Sequence, residues 1–278
     1  MSHVELDNAR WDCHTHIYGP WDAFPLPADA VYRPGAAPMS SLLDVHRELG
    51  ISRGVLVQAA CYQSDHSALL DAIVQTGGRY RGVALLDGSE TDDQLHALHE
   101  GGVRGIRFNF MGHLAAEVDL GRLRSQAERV GELGWHVLLH GRLAQVLPVL
   151  NEWRSLETVL VVDHMGRPDG VDSNDSVQRE QLWALHAHLQ NERRWIKLSG
   201  VDRMMSNSAH PWPDAVPLVR DLLAAAPDRA IWGSDWPHPN IQGDVPDDAK
   251  LLAFIESVCS NPEAAHDVLV RNPLRLYG

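Results

Sequence analysis

Eight short apolar or β-branched runs recur along the chain, each followed by a stretch of helical periodicity, and this repetition limits the possible folds more than any other feature. The runs cover 11–16, 53–58, 81–87, 102–109, 136–141, 158–164, 195–200 and 230–237. Bounded by turn-forming residues, they read as strands. Most are continuous and do not alternate with polar residues, as expected of strands covered on both faces in a parallel sheet clothed by helices. Helices are expected near 40–49, 64–76, 120–133, 143–155, 176–191, 215–226 and 247–258. Thr91-Asp92-Asp93-Gln94 has the form of a capping box ahead of Leu95 and Leu98, with Gly101-Gly102 as the stop, and Asn261-Pro262 opens a last short helix. Eight strand-helix units in 278 residues, with no Gly-rich phosphate loop after the first strand, fit a closed (β/α)8 TIM barrel better than a doubly wound sheet. No linker-like tract interrupts the pattern, so a single domain over 1–278 is expected.

The net charge of -13 argues against nucleic acid or an anionic membrane as partner, because both need a basic face. Nowhere do about eighteen uncharged apolar residues run together, and the first residues lack a signal-peptide pattern. Cys13, Cys61 and Cys259 make an odd number without metal-type spacing, which favours buried thiols in a reducing compartment. A cytoplasmic protein is the expectation. Homo-oligomer formation is compatible with the sequence but not specified by it.

In a barrel of this kind the loops at the C-terminal strand ends surround a common mouth, and chemistry collects there. The first strand ends in His14-Thr15-His16, the fourth in Arg107-Phe108-Asn109, the fifth in His140, the sixth in Asp163-His164 and the eighth in Asp235. Arg203 follows the seventh. Residues two apart on a strand share a side, so His14 and His16 project together, as imidazoles sharing a metal or a substrate must. With His164 and Asp235 they form an N3O set suited to one divalent ion, zinc above others. Arg107, Arg167 and Arg203 lie near the same rim and predict a cationic pocket for carboxylate or sulfonate groups within an acidic protein. Trp236 and His238, beside Asp235, are candidates for the pocket wall. Trp135, Trp153, Trp183 and Trp195 read as core or packing residues.

DCHTHIYGPWDAFP, VQAACY, GVRGIRFNF, VVDHMGRPD, IKLSG, WGSDWPHPN and NPLRLYG, in this order over nearly the whole chain, closely resemble the 2-pyrone-4,6-dicarboxylate lactonase group of the amidohydrolase superfamily. The resemblance implies a distorted amidohydrolase-type barrel that hydrolyses lactones. It gives Asp235 the role of general base and later proton donor, sets His14, His16 and His164 around the reacting carbonyl, and assigns Arg107, Arg167, Arg203 and Tyr32 to substrate acids. Three positions depart from the pattern: His113 stands for a second arginine, His140 for a tyrosine, and Ala60 for a small hydroxyl residue. These changes fall in the substrate pocket. The expected substrate is therefore a small anionic lactone that need not be the pyrone dicarboxylate; a carboxy- or sulfo-substituted muconolactone fits, since sulfomuconolactone hydrolases look like the same group. On the metal the resemblance points both ways, because the pyrone lactonases work without one and many relatives hold zinc with this residue set. His140, adding a nitrogen near the site, favours zinc. A metal-dependent non-oxidative decarboxylase of the same superfamily is the rival, and carbon dioxide release would mark it.

Overall fold

The computed structural model describes residues 8–111, 119–168, 175–204, 211–241 and 244–278. Its strands are β1 (Trp11–Thr15), β2 (Arg53–Val57), β3 (Tyr80–Ala84), β4 (Val103–Asn109), β5 (His136–His140), β6 (Leu160–Val162), β7 (Arg194–Leu198) and β8 (Ala230–Trp232). They form one parallel sheet in sequence order, β1 to β8. Past the end of β8 the sheet closes on itself, because Thr15 and Trp236 form a parallel bridge, Asp235 N–H donates to His14 O (2.9 Å) and His16 N–H to Trp236 O (2.8 Å). This is the expected (β/α)8 barrel. The doubly wound alternative fails because its sheet stays open.

The helices stand where the periodicity puts them. They are α1 (Met39–Leu49), α2 (Ser67–Gln75), α3 (Asp92–Glu100), α4 (Leu120–Gly131), α5 (Leu143–Glu152) and α6 (Ser176–Leu189). After the short α7 (Val201–Met204) come α8 (Val216–Ala225), α9 (Asp248–Val258), α10 (Pro262–His266) and α11 (Asn272–Tyr277). Thr91 and Gln94 make the reciprocal capping box ahead of α3, and Asn261 accepts from Ala264 N–H at the start of α10. Trp183 departs from expectation. It lies on α6 and is 77% exposed, whereas Trp135, Trp153 and Trp195 are buried; the stripe of α6 that packs inward carries Leu185 and Leu189 instead. Cys13 and Cys61 are buried thiols as expected, but Cys259 is only partly covered.

Period-two alternation divides each strand between two cores. Outward residues such as Leu56, Ile106, Leu139 and Ile196 pack under the helices, while Cys13, Val57, Leu138, Val161, Trp195 and Ile231 fill the barrel interior. Burying each such aliphatic side chain contributes about 1.5–3 kcal/mol. At the N-terminal end of the barrel Tyr277 stacks on Trp11 (centroids 6.0 Å apart), and its carbonyl accepts from Arg81 Nε (3.0 Å). Two residues further along β5, β6 and β7 the inward positions become polar: Leu138 gives way to His140, Val161 to Asp163, and Trp195 to Lys197. The apolar interior therefore carries a polar cap at the C-terminal ends of the strands. Among the described residues no helix is long and apolar enough to cross a membrane.

Candidate active site

The seam between β1 and β8 brings the first residues of the site together. A register shift between Asp12 and Thr15 breaks the alternation of β1, so Cys13 joins the interior core while the next residue, His14, still meets the inward-facing Lys197. Asp12 reaches across the seam, its Oδ1 accepting from the N–H of both His14 and Ser234 (3.0 Å each). Gly233 makes the close approach possible, since a Cβ there would stand 2.4 Å from His14 Cβ. The result is that Asp235 Oδ1 lies 3.6 Å from His14 Nε2 and 3.4 Å from His16 Nε2, all three residues buried.

The imidazole orientations follow from their other nitrogens. His16 Nδ1 donates to Val57 O (2.7 Å), which turns Nε2 toward Asp235. His14 Nδ1 is 3.1 Å from both Lys197 Nζ and Asp163 Oδ1, but only the lysine contact has hydrogen-bond geometry. His14 Nε2 and Asp163 Oδ1 are consequently buried without hydrogen-bond partners. With Lys197 Nζ, which only donates, on His14 Nδ1, the hydrogen sits on Nε2; a cation between His14, His16 and Asp235 would need it on Nδ1 instead, facing Asp163 Oδ1, with the Nε2 lone pair turned to the ion. The ligand-type atoms of the three residues lie within 4.8 Å of one another, so they could hold a metal.

His164 does not join that set. It groups with His14 and Asp163, its Nε2 3.5 Å from Asp163 Oδ2 and its Nδ1 bonded to Ser199 Oγ (2.8 Å). The physical reason is the turn after β6, where His164, Met165 and Arg167 all take left-handed backbone angles (φ 47°, 56° and 41°) and swing the ring against His14 (centroids 4.5 Å apart). Asp235 and His238 are left-handed too (φ 68° and 61°). Such non-glycine conformations cost about 1–3 kcal/mol each and collect at functional sites.

Two of the three rim arginines touch carboxylates of the site. Arg203 Nη2 stands 2.8 Å from Asp235 Oδ2 and its Nη1 donates to Pro239 O (2.8 Å), while Arg107 Nη2 donates to Asp163 Oδ2 (3.2 Å). Arg167 instead donates from Nη1 to His140 Nε2 (3.3 Å). Both ring nitrogens of His140 are occupied, since Nδ1 bonds Asn109 Oδ1 (2.6 Å), so it adds no nitrogen to a metal site. Tyr32 is half-buried with its hydroxyl 3.3 Å from that of Tyr18, and burial raises its pKa to about 12, which keeps it a donor. His238 turns its Nε2 to Asp248 Oδ1 (2.9 Å), leaving Nδ1 buried and unpartnered. His113 lies outside the described residues.

Sequence reasoning missed Asp163 and Lys197 as parts of the site. Both are fully buried, with Lys197 Nζ 3.8 Å from Asp163 Oδ1. A lysine in the middle of the apolar run WIKLSG is the signal that could have marked the pair.

Burial sets the charges here. It would raise the carboxyls of Asp163 and Asp235, but their polar neighbours outweigh it: His14, His164 and Lys197 around the first, and Arg203, His164 and His14 with a hydrogen bond from His16 at the second. Both stay well below the usual carboxylate range. Burial lowers His14 to about 4 and His136 to about 3, with His140 and His164 also well below their ordinary value. An unfolded chain binds protons on these histidines from about pH 6.5 downward and the folded chain does not, so stability falls as pH drops through that window. Thermal unfolding followed from pH 8 to 4 is expected to show a midpoint that declines steeply below about pH 6; a midpoint flat to pH 4.5 would contradict neutral buried imidazoles.

Comparison with known proteins agrees with the barrel fold. The family described as amidohydrolase matches residues 11–278. A 2-pyrone-4,6-dicarboxylate hydrolase of Comamonas testosteroni is 37% identical over 276 residues, spanning 96% of this chain and 89% of its own. A 4-sulfomuconolactone hydrolase of Hydrogenophaga intermedia is 33% identical over 274 residues, with 96% and 88% covered. A crystal structure from Acinetobacter baumannii, described as a probable 2-pyrone-4,6-dicarboxylic acid hydrolase with citric acid bound, superposes with a TM-score of 0.82 at 25% identity over 97% of this chain and 99% of that one. The protein is therefore a member of the amidohydrolase family, in the group of the 2-pyrone-4,6-dicarboxylate and 4-sulfomuconolactone hydrolases.

Proposed function

We propose that the protein is a carboxylic ester hydrolase that opens the lactone ring of a small anionic substrate from aromatic-compound degradation. The substrate is a pyrone dicarboxylate or a carboxy- or sulfo-substituted muconolactone. The observation that carries this reading is the meeting of His14 Nε2, His16 Nε2 and Asp235 Oδ1 in one buried corner beside Arg107, Arg167 and Arg203. Asp235, ionised and buried, takes a proton from water held against His14 and His16. The water oxygen bonds to the lactone carbonyl carbon, and the oxyanion so formed is stabilised by donors of the site. The ring C–O bond then breaks, and Asp235 returns the proton to the departing oxygen, leaving a hydroxy acid.

His14, His16 and Asp235 are the residues that would hold a divalent ion, with zinc best matched to two imidazoles and a carboxylate. Such an ion supplies Lewis-acid polarisation of the carbonyl. His164, fixed by Ser199, borders the reacting carbonyl, and Tyr32, Arg107, Arg203 and His238 surround the substrate acids. Nothing in the arrangement favours the decarboxylase over the lactonase, whereas the acid-base placement of Asp235 suits ring opening. Anionic lactones should lose ring absorbance while releasing about one equivalent of acid and no carbon dioxide; gas release without ring opening would reverse the assignment. Elemental analysis of the purified protein should find about one divalent ion per chain, removed by His16→Ala. A metal-free enzyme at full activity would restrict the ion-binding reading and leave His14 and His16 as water-holding groups.

A further inference from the structure

His140 lies at the end of β5, directly across the sheet from Asn109 in β4. The side-chain oxygen of Asn109, only 2.6 Å from His140 Nδ1, can accept a proton and cannot give one, so Nδ1 carries the hydrogen. On the other side Arg167 Nη1, 3.3 Å from Nε2, can only donate, so Nε2 must offer its lone pair. The ring is thus a neutral imidazole with both nitrogens engaged. Its surroundings point the same way: it is buried, and Arg107, Arg167 and His164 stand close enough to oppose a further positive charge.

Arg167 differs from the other rim arginines. Arg107 touches Asp163 and Arg203 touches Asp235, but Arg167 meets no carboxylate within ion-pair distance among the described residues. Its guanidinium, half-buried in the mouth, is held by a neutral acceptor, and Asp235 and Asp163 act on it only from beyond ion-pair distance. An arginine so held has donors and charge to spare for a ligand.

We propose that His140 is a positioning residue: fixed by Asn109 in the Nδ1–H form, it aims Arg167 at the anionic substituent of the substrate and does not touch the substrate or a metal itself. That the bound anion belongs to a lactone rests on the function proposed above; the anion site itself does not.

The test is equilibrium binding of isophthalate, an unhydrolysable ring with two carboxylates, against its uncharged analogue isophthalamide, by calorimetry on the full chain. Arg167→Met and His140→Phe should each weaken isophthalate by about tenfold or more, with isophthalamide unaffected, and His140→Gln, which keeps an acceptor for Arg167, should recover most of the loss. Added to Arg167→Met, His140→Phe should cost little more, because it acts through the arginine. Nitrogen NMR of His140 in the unmodified protein should show the neutral Nδ1–H form. Three results would overturn the proposal: no isophthalate binding by the unmodified protein, an undiminished effect of His140→Phe in the Arg167→Met background, or a His140 ring protonated at Nε2. Lactone turnover by the unmodified protein, assayed separately, shows whether the proposed function fails independently.

Discussion

Asp235→Asn is expected to bind an anionic lactone with near-normal affinity and to turn it over about a thousandfold or more slowly. The asparagine has almost the same shape, and Arg203, whose Nη2 sits 2.8 Å from Asp235 Oδ2, keeps its bond to Pro239 O. Stability should fall, because Arg203 loses its counter-charge, but by less than at Asp163, since Arg203 is partly exposed. Chemistry should suffer, because a neutral amide neither takes the proton from water nor returns it to the ring oxygen, and it is a poorer ligand for a cation beside His14 and His16. Stopped-assay turnover with a parallel binding titration separates the two effects. Turnover within tenfold of the unmodified enzyme would remove Asp235 from the mechanism.

The second large effect concerns stability. Asp163→Asn should lower unfolding free energy by about 3–5 kcal/mol, because it leaves buried cations without their carboxylate. Asp163 is fully buried, its Oδ2 accepts from Arg107 (3.2 Å), and Lys197 Nζ, also fully buried, is 3.8 Å from its Oδ1. Denaturant titration gives the magnitude, and heating should show a midpoint lower by roughly 10 °C. Adding Lys197→Met should restore part of the loss, since an apolar side chain of similar length needs no counter-charge. If Asp163→Asn costs less than about 1 kcal/mol, the two cations are satisfied elsewhere and Asp163 is not the centre of the network.

These two carboxylates show how unevenly the site was legible. Asp235 announces itself at the end of the last strand in WGSDWP, opposite the His-x-His of the first strand, and barrel closure alone brings those ends together. Asp163 stands beside His164 in VVDHMG, and the sequence offers no means of ranking the two. The turn after β6 decides between them. Its left-handed residues hold His164 against Ser199 and Asp163, so His164 leaves the ligand set that spacing had suggested. His140 is similar: a histidine at a strand end reads as a free nitrogen until Asn109 and Arg167 are seen to use both of its ring atoms.

By itself the sequence determined the strand-helix alternation, the closed barrel and the gathering of polar residues at one rim, because hydrophobic period and turn chemistry are local and survive as patterns along the chain. Tertiary structure decided which nitrogen of each histidine is free, that the register shift in β1 lets His14 meet Lys197, and that Trp183 faces solvent. Those outcomes depend on hydrogen-bond partners and packing surfaces contributed by residues distant in sequence, and no local pattern encodes them.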